Sequence, residues 1–484
     1  VTIEELCQFL GAADIYVTPY LNPAQIVSGT LAYSVGTGKA VVSTPYWYAE
    51  EILAEGRGRL VPFRNPAALA ESIVELFGNE AERHAMRKRA YALGRQMVWK
   101  EVARGYHETF RRAAVERQRV SVVLRSGADP LDTELPELNF EHVHTLSDDT
   151  GILQHARRTV PNFAEGYTTD DNARALIVAL QARRLQEGHA GLHRLAGRYL
   201  AFLDFAFDRS TGRFRNFLGF DRRWNEDAGS EDAHGRALWA LGNVVGAAQD
   251  EGMVALAVML IAAGLPAVET FTSPRAWAFS LLGICAYARR FPGDSSVRRY
   301  RDGLAERLVQ LWKANAAPDW RWFEQALAYA NARLSEALLA AGESAGNREW
   351  TAAGLESLEW LVGVQTAPAG HFAPVAHTGW QRGQLRARFD QQPIEAQCTV
   401  EACFRAWQVT GEPRWREEMR RAFEWFLGRN DLGRPLYDYA TGGCHDGLHP
   451  EGVNANEGAE STLAFLAALL AMRAARSAAG RSER

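Results

Sequence analysis

A helix opening of one kind recurs six times along the chain, and this repetition restricts the possible folds more than any other feature. Each opening is a small or polar motif followed by a long run rich in alanine and leucine. The openings begin at Thr168, Gly229, Thr272, Leu327, Pro393 and Asn456. Their spacing of about 45 to 65 residues suits a helical hairpin with a variable loop. The pattern therefore predicts six hairpins, each with one inner and one outer helix.

The helices after these openings are nearly free of charge beyond their first turn, as expected for helices that are buried on all sides. Six hairpins that close on each other form an (α/α)6 toroid, which we predict over residues 140–472, with a polar tail over 473–484. This layout resembles the six-hairpin glycosidase-like superfamily, which also includes sugar epimerases and polysaccharide lyases. The resemblance implies that any chemistry takes place where the starts of the inner helices converge.

The first hundred residues have a different pattern, in which short β-branched segments alternate with helices. A strand, a helix and a strand within about 35 residues form a βαβ unit, which implies a parallel sheet. The predicted strands are 13–20, 40–44 and 56–63, and the predicted helices are 22–33, 66–77 and 81–113. The fold class expected for the chain is multidomain, α/β plus all-α. It comprises a Rossmann-like half domain over 1–118, a linker over 119–139 and the toroid.

The segments ADIYVTPYLNPAQIVSGTLAYSVGTGKAVVSTPYWYAEEIL and GRGRLVPFRNPAALAESIVELF resemble the C-terminal, donor-binding half of a GT-B glycosyltransferase of the family-4 type. In that family the strand-to-helix turn holds the diphosphate of a nucleotide sugar at a helix N-terminus. The resemblance implies a UDP- or GDP-linked sugar as co-substrate, with Gln25, Ser28 and Thr30 as its contacts. Gln25 and Tyr33 stand where the family has two glutamates, and the acceptor-binding half is not within these 484 residues. We therefore expect weak nucleotide binding and no firmly bound cofactor.

Composition argues against several kinds of partner and site. The net charge of −4 gives no sign of a nucleic-acid partner. No run of about 18 apolar residues is present, so no membrane span is expected. The five cysteines are an odd number without C-x-x-C spacing, which argues against a disulfide framework or a zinc site and favours a reducing, cytoplasmic location. His142, His144 and His155 match no established metal-ligand spacing, so no metal site is expected.

The starts of all inner helices of a toroid lie at one end, where their polar residues form a mouth. Carboxylates, amides and aromatic rings around one cavity suit sugar binding, because rings stack on C–H faces and carboxylates hold pairs of hydroxyls. Two opposed carboxyls also provide an acid and a base. The candidate catalytic residues are Asp170, Asp171, Glu231, Asp232, Glu395, Glu457 and Glu460. The candidate substrate-binding residues are Asn172, Trp224, His234, Trp322, Asn331, Gln392, His445, Asp446 and Asn456.

Many of these acids have a structural alternative. Acidic residues at helix starts cap free N–H groups and suit the helix dipole without any catalytic role. Arg174, Arg236 and Arg333 lie inside apolar helices, and buried arginines must pair with carboxylates. The acidic starts of neighbouring helices are candidate partners, which would make part of the acid set structural.

Three functions are consistent with the sequence. The first, which the glycosyltransferase motif favours, is part of a nucleotide-sugar-dependent glycosyltransferase whose toroid acts on or holds a glycan. The second is a glycoside hydrolase-like enzyme that uses paired carboxylates in the toroid mouth. The third is a non-catalytic glycan-binding scaffold. All three predict an oligosaccharide or polysaccharide as the partner.

Overall fold

The computed structural model of the protein describes residues 2–120, 135–185 and 191–482. The chain divides into two compact units, Val1–Ala128 and Asp129–Arg484, and each unit has hydrophobic clusters of its own. The linker predicted over 119–139 falls largely on residues 121–134, which lie outside the described residues.

The first unit is built on a parallel sheet of three strands, β1 Ile15–Thr18, β2 Ala40–Ser43 and β3 Arg59–Leu60. The strands lie in the order β1-β2-β3, and both neighbouring pairs are parallel. Val41 and Val42 belong to two different apolar clusters, because successive side chains of a strand point to opposite faces. The helices of this unit are α1 Ile3–Ala12, α2 Gly29–Gly36, α3 Trp47–Ile52, α4 Pro66–Gly78, α5 Glu80–Gln96 and α6 Trp99–Val120.

The parallel βαβ unit lies where the sequence predicts it, but two helix boundaries differ from the prediction. The helix expected over 22–33 begins only at Gly29, because the Ser28 side chain caps it by accepting a hydrogen bond from the Leu31 amide at 3.3 Å. The helix expected over 81–113 is divided into α5 and α6 by a break after Gln96.

The second unit consists of six helical hairpins. The inner helices are α8 Thr169–Arg184, α10 Glu231–Ala247, α12 Pro274–Ala288, α14 Ala332–Ala345, α16 Pro393–Thr410 and α18 Ala459–Ser482. The outer helices are α7 Glu141–Leu146, α9 Leu192–Ala206, α11 Glu251–Gly264, α13 Ser295–Asn315, α15 Arg348–Val364 and α17 Arg414–Glu424. Each inner helix packs against the next, and α18 packs against α8 and so closes the ring. The outer partner of α18 is α7, from the start of the unit.

Small residues allow the inner helices to pack closely. A Cβ added to Gly242 of α10 would lie 2.0 Å from the carbonyl oxygen of Gly283 in α12, and one added to Gly283 would lie 2.4 Å from that of Leu238. In α8 every residue from 171 to 180 is buried, so this helix has no solvent-facing side along that stretch. The alanine-rich composition of the repeats is the consequence of burial on all sides.

The inner helices start at one end of the ring, and the residues before them set this boundary. The side chains of Thr168, Ser230 and Ser273 accept hydrogen bonds from first-turn amides of α8, α10 and α12. Pro274 and Pro393 occupy the first positions of α12 and α16, where a missing N–H costs no intrahelical hydrogen bond.

Short antiparallel ladders and two 3₁₀ helices, η1 Phe163–Glu165 and η2 Leu265–Thr270, occur in the loops. The ladders pair β4 Ala156–Arg157 with β5 Val160–Pro161, β6 Tyr167–Thr168 with β9 Phe217–Leu218, β7 Phe207–Asp208 with β8 Arg213–Phe214, β10 Ala326–Leu327 with β11 Trp380–Gln381, and β12 Leu448–His449 with β13 Gly452–Val453. β6 directly precedes α8, so this ladder fixes the approach of the chain to the first inner helix.

Two helical stretches, Glu251–Thr270 and Ala459–Ala479, are long and apolar enough to cross a membrane by length and composition alone. In the second, 72% of the apolar window is buried inside the protein, as expected for a core helix of a toroid. The prediction of no membrane span therefore stays a prediction. The same helix α18 continues to Ser482, so it includes most of the segment that the sequence assigns to a polar tail.

Candidate active site at the mouth of the toroid

A cavity of about 350 Å³ opens where the inner helices begin, and we call it the mouth cavity. Its walls come from the starts of α8, α10, α16 and α18 and from the loop before α14. The lining residues are Asp170, Arg174, Ser230, Asp232, Arg236, Tyr329, Gln392, Ile394 and Glu460. Of the predicted site residues, Asp170, Asp232, Gln392 and Glu460 thus meet in one space. The volume lies near the lower end of the range for small-molecule sites, roughly 300 to 1,000 Å³.

Asp232 is a lining carboxylate whose pKa is raised. Burial raises the pKa of Asp232, and the charge of Asp170 adds to this, whereas the Ser273 hydroxyl and Arg236 oppose it. Its carboxylate accepts a hydrogen bond from the Ser273 hydroxyl at 2.7 Å. A carboxyl with a raised pKa keeps its proton to a higher pH than a free aspartate, which suits proton donation.

Arg174 joins two of the acidic helix starts. Its guanidinium donates to Asp171 at 2.7 Å within α8 and to Glu460 of α18 at 2.5 Å. Although burial opposes it, the charges of Glu460 and Asp171 raise the pKa of Arg174. Asp171 itself is only 3% exposed and does not reach the cavity, so this predicted catalytic residue is placed as a buried partner of Arg174 and of the Thr168 hydroxyl. Glu460 remains partly exposed in the cavity wall.

Arg236 is buried beside the carboxylates that line the mouth cavity. Its Nε lies 3.5 Å from Asp170 Oδ1, and its guanidinium lies over the Phe279 ring at 4.0 Å from the ring centre. Burial lowers the pKa of Arg236 to about 10, and the charge of Arg174 contributes, while Asp170, Glu460 and Asp232 raise it. Asp170 Oδ1 has no hydrogen-bond partner within the described part of the chain, so it is an acceptor that a ligand in the cavity can use.

The predicted pairing of the three buried arginines with carboxylates is confirmed, but one set of partners differs from the prediction. Arg333 donates to Glu336 at 2.5 Å and to Glu401, neither of which is an acidic helix start. Gln397 also donates to Glu401, at 2.9 Å. Burial raises the pKa of Glu336, and the charge of Glu401 adds to this, while Arg333 opposes it. None of Arg333, Glu336 and Glu401 lines the mouth cavity, and the two glutamates face the opposite end of the ring, so the cluster has a structural role.

Five lining residues lie outside the predicted site set: Arg174 and Arg236, which were predicted only as partners of carboxylates, and Ser230, Tyr329 and Ile394. Tyr329 is held by Arg275, whose Nε donates to the Tyr329 carbonyl at 2.5 Å and whose guanidinium lies 5.2 Å from the ring centre. Arg275 in turn donates to Glu324 at 2.8 Å. Their position in the sequence could have identified them, because each lies within a few residues of a predicted helix start.

Two other predicted catalytic acids are used for structure. Glu231 accepts hydrogen bonds from the amides of Thr272 and Ser273 at 2.8 and 2.7 Å, and so fixes the start of the neighbouring inner helix α12. Glu395 is 3% exposed, accepts from the Asn331 side chain at 3.0 Å, and burial raises its pKa. Neither Glu231 nor Glu395 lines the mouth cavity, so a structural role describes these two acids better than a catalytic one.

Asn172 and His234 are corrections to the predicted substrate-binding set, because both are fully buried. Asn172 donates to the Thr168 carbonyl at 2.8 Å and accepts from the Ile152 amide at 3.1 Å. His234 accepts from the Phe214 amide through Nδ1, so its Nε2–H donates to the Gly264 carbonyl at 3.0 Å. Burial lowers the pKa of His234 to about 3, which keeps the imidazole neutral.

Asn331, Trp322 and Trp224 also lie away from the cavity. Asn331 is fully buried between Glu395 and the loop before α14. Trp322 is fully buried and packs against Trp360 at 6.0 Å between ring centres, so it is a core residue. Trp224 packs against Phe205 at 5.4 Å. None of these three residues lines the mouth cavity. Burial excludes Asn331 and Trp322 as ligand contacts, whereas the assignment of the partly exposed Trp224 stays a prediction.

The glycine-rich loop before α18 forms a separate buried cluster around Glu457. Glu457 is 1% exposed and accepts from the Thr441 hydroxyl at 2.8 Å, while His142 donates to its main-chain carbonyl at 2.7 Å. His445 Nδ1 lies 3.8 Å from its carboxylate. Burial raises the pKa of Glu457, and the Thr441 hydroxyl and the two histidines oppose this. A Cβ added to Gly443 would lie 2.1 Å from Glu457 Oε2, so a larger residue here would displace the Glu457 carboxylate.

Asp446 and Asn456 hold this loop in place. Asp446 accepts from the Gly458 amide at 2.8 Å and from the Ser461 hydroxyl at 2.6 Å, which fixes the start of α18. Asn456 accepts from the Arg158 amide at 2.9 Å. Glu457, His445, Asp446 and Asn456 were expected at the mouth, but they stabilise the loop and do not line the cavity.

In the first unit the predicted nucleotide contacts are engaged locally. Gln25 donates to the Val27 carbonyl at 2.8 Å. Ser28 is buried as the cap of α2, and its hydroxyl lies 3.4 Å from that of Thr30. Among the described residues of the chain, no group of three or more histidine, cysteine, aspartate or glutamate side chains is arranged to hold a metal ion.

No protein-family model matches the chain, and no curated protein matches its sequence. Solved structures do match it. Cellobiose 2-epimerase from Bacillus thermoamylovorans aligns with a TM-score of 0.55 at 12% identity, covering 71% of this chain and 97% of that one. Cellobiose 2-epimerase from Spirochaeta thermophila gives 0.54 at 15% identity, covering 75% and 98%. A D-mannose isomerase gives 0.53 at 11% identity, covering 69% and 95%.

These similarities are at the level of fold. The second unit has the (α/α)6 toroid fold. The matched structures are covered almost over their whole length, in agreement with a ring of hairpins that is complete in this chain. They give no support to the predicted fused glycosyltransferase half, so the Rossmann-like GT-B assignment of the first unit stays a prediction.

Proposed function

We propose that the protein is a carbohydrate-active enzyme whose toroid performs acid–base chemistry on an oligosaccharide in the mouth cavity, in the manner of a glycoside hydrolase. The observation that carries this proposal is the meeting of carboxylates from three inner helices in one cavity, one of which, Asp232, has a raised pKa. Of the three functions that the sequence left open, this one makes direct use of the lining found there.

The roles follow from the charge environment of each carboxylate. Asp232 donates its proton to the oxygen of the bond that breaks, because its raised pKa favours the protonated form. Asp170 or Glu460, each beside an arginine, acts as the base that activates water. In the overall step, water adds its hydroxyl to the sugar carbon and gives its other proton to Asp170 or Glu460, while the glycosidic C–O bond breaks and the leaving oxygen takes the proton from Asp232.

The proposed substrate is a neutral oligosaccharide. Proteins of the same fold named above act on cellobiose or on mannose, and the mouth cavity has the carboxylate, amide and phenol groups that hold sugar hydroxyls. A cavity of about 350 Å³ holds one or two sugar units, so a longer chain must extend out of the mouth.

The nucleotide-sugar-dependent transfer predicted from the sequence is kept as a separate proposal for the first unit. Its support is the parallel sheet followed by the capped start of α2. A UDP- or GDP-linked sugar would be its co-substrate, and the engaged side chains of Gln25 and Ser28 agree with weak binding. A cytoplasmic location would fit either activity, because the unpaired cysteines suit a reducing compartment.

The test is incubation of a mixed oligosaccharide pool with the native chain and with Asp232→Asn, without any nucleotide sugar, followed by mass spectrometry. We expect shortened products only with the native chain. Asp250→Asn is the matched control, because Asp250 caps α11 and asparagine caps equally well. Equal product formation by native protein and Asp232→Asn would refute the assigned role. A pool that stays unchanged with native protein would refute hydrolysis.

A further inference from the structure

A second cavity, of about 1660 Å³, opens at the other end of the toroid, where the inner helices end, and we call it the far cavity. Its lining includes three arginines: Arg184 at the end of α8, Arg289 directly after α12, and Arg405 in the second half of α16. These helices are every second member of the six-helix ring. The three guanidinium groups therefore approach the cavity from three sides.

The positive charge of this cluster is not balanced by the lining. The cavity also has three carboxylates, but Glu336 and Glu401 are already paired with Arg333. Only Glu343 is left for the three arginines, and it lies 3.2 Å from Arg405. Arg184 and Arg289 are exposed to solvent, and within the described part of the chain neither has an ion-pair partner.

The three arginines lie close enough to repel one another, although water screens the two that are exposed. Burial lowers the pKa of Arg289, and the charges of Arg405 and Arg184 lower it further. Helix C-termini do favour single cations. However, the last turns of α10, α14 and α16 carry no basic residue, so the helix dipole does not by itself require a basic group at each end.

Two lining side chains also have buried polar atoms without a hydrogen-bond partner in the described residues. They are the Nε of Arg405, a donor, and the Oε1 of Gln181, an acceptor. Buried polar atoms are normally satisfied, so these two atoms leave hydrogen-bonding capacity that a bound group could use. They are a second observation, independent of the charge count.

We propose that the far cavity binds a phosphate monoester, whose phosphate is held by Arg184, Arg289 and Arg405 and whose organic group occupies the remaining volume. Guanidinium groups suit this task because their planar N–H pairs match phosphate oxygens. The cavity is far larger than a phosphate ion requires, which favours a phosphorylated small molecule over free phosphate. This site does not depend on the chemistry proposed for the mouth cavity.

Isothermal titration calorimetry at low ionic strength tests the proposal with four probes: a hexose 6-phosphate, a nucleoside 5′-monophosphate, inorganic phosphate and the unphosphorylated hexose. We expect at least one monoester to bind more tightly than inorganic phosphate, and the hexose not to bind. Arg289→Gln and Arg184→Gln should each weaken binding of that monoester about tenfold or more, as expected for loss of a charge-assisted contact. Added salt should weaken it further.

The matched controls are the neighbouring arginines in sequence, Arg290→Gln and Arg183→Gln, which lie outside the lining and should leave the affinity unchanged. Circular dichroism establishes that each variant is folded. The proposal is overturned if neither monoester binds, if inorganic phosphate binds as tightly as both monoesters, or if the control variants weaken binding as much as Arg289→Gln.

Discussion

The mouth cavity and the far cavity lie at opposite ends of the same six helices, yet their characteristic charges have opposite sign. Carboxylates of Asp170, Asp232 and Glu460 line the mouth, where the helices begin. Arginines line the far cavity, where the helices end. Helix N-termini carry a partial positive charge and C-termini a partial negative one. The common direction of the inner helices therefore makes acids tolerable at one end and bases at the other.

The two ends also differ in how their charges are neutralised. At the mouth, Arg174 and Arg236 are buried beneath the acids and pair with them. At the far end, within the described residues, only Arg405 of the three arginines has a carboxylate partner. The comparison suggests that the mouth is arranged for proton transfer on a neutral ligand and the far end for binding an anion. Four changes test it.

Arg333→Met should have the largest effect on stability. Arg333 is 1% exposed, and its removal leaves the buried carboxylates of Glu336 and Glu401 without their cation. We expect the free energy of unfolding to fall by about 3–5 kcal/mol, measured by urea denaturation. The control is Arg348→Met, at an exposed arginine at the start of α15, which should be nearly neutral. Similar stabilities of the two variants would show that the cluster between the ends is not held by this arginine.

Asp232→Asn should abolish most activity without loss of stability. Removing a general acid costs about a hundredfold or more in rate, or about 2.7 kcal/mol of transition-state stabilisation. Because the folded-state pKa is raised, the folded protein binds this proton more tightly than the unfolded chain does. The carboxyl's contribution to stability is therefore present below the unfolded pKa and is lost as pH rises through the folded pKa.

The neutral asparagine avoids that loss, so we expect the variant to be as stable as the native protein, or more stable, at neutral pH. Native activity should fall as pH rises through the raised pKa of Asp232. Enzyme kinetics as a function of pH measure the activity, and thermal melting measures the stability, of Asp232→Asn with Asp250→Asn as the control. A drop in melting temperature that accounts for the lost activity would place Asp232 among the structural acids.

Gly242→Ala tests whether the two ends are held together by close packing of α10 and α12. The added Cβ would lie 2.0 Å from the Gly283 carbonyl oxygen, so the helices must separate. We expect a loss of about 1–3 kcal/mol, by denaturant unfolding. The control is Gly303→Ala on the outer helix α13, where the space is open and alanine should add about 0.5–1 kcal/mol. Equal effects would indicate that the inner ring tolerates expansion.

Glu395→Gln should have the smallest effect on the free energy of unfolding. It should change the pH dependence of that free energy more than its magnitude. Burial raises the pKa of Glu395, and its carboxylate is hydrogen-bonded to neutral Asn331. The native protein should lose stability through this group as pH rises through its raised pKa, and glutamine should remove that slope. Unfolding at pH 5 and pH 8 measures the slope, with exposed Glu165→Gln as the control. An unchanged slope would mean that Glu395 does not titrate in this interval.

The six inner helices were predictable because their sequence carries the information locally. Burial on all sides demands alanine and glycine in the helices, and the polar openings at Thr168, Ser230 and Ser273 supply their caps. Closure of the ring by α7 against α18 was not predictable from any local pattern, since these helices lie at opposite ends of the unit. The break between α5 and α6 was missed for the opposite reason, because both segments have helical composition.

The candidate site divides in the same way. The sequence alone determined that acids gather at the helix starts and that Arg174, Arg236 and Arg333 need carboxylate partners. Only the tertiary structure decided that Asp232 faces a cavity whereas its neighbour Glu231 holds the next helix. Side chains one residue apart on a helix point about 100° apart, so the rotation of each helix in the ring selects which acid is exposed to ligand.

The far cavity depended on tertiary structure entirely. Arg184, Arg289 and Arg405 lie on three helices more than a hundred residues apart, and no sequence motif connects them. What the sequence determined was the identity of the inner helices, because burial and capping act over one or two turns. What only the folded ring decided was which charges share a cavity, because electrostatic neighbours are set by the closure of six helices in space.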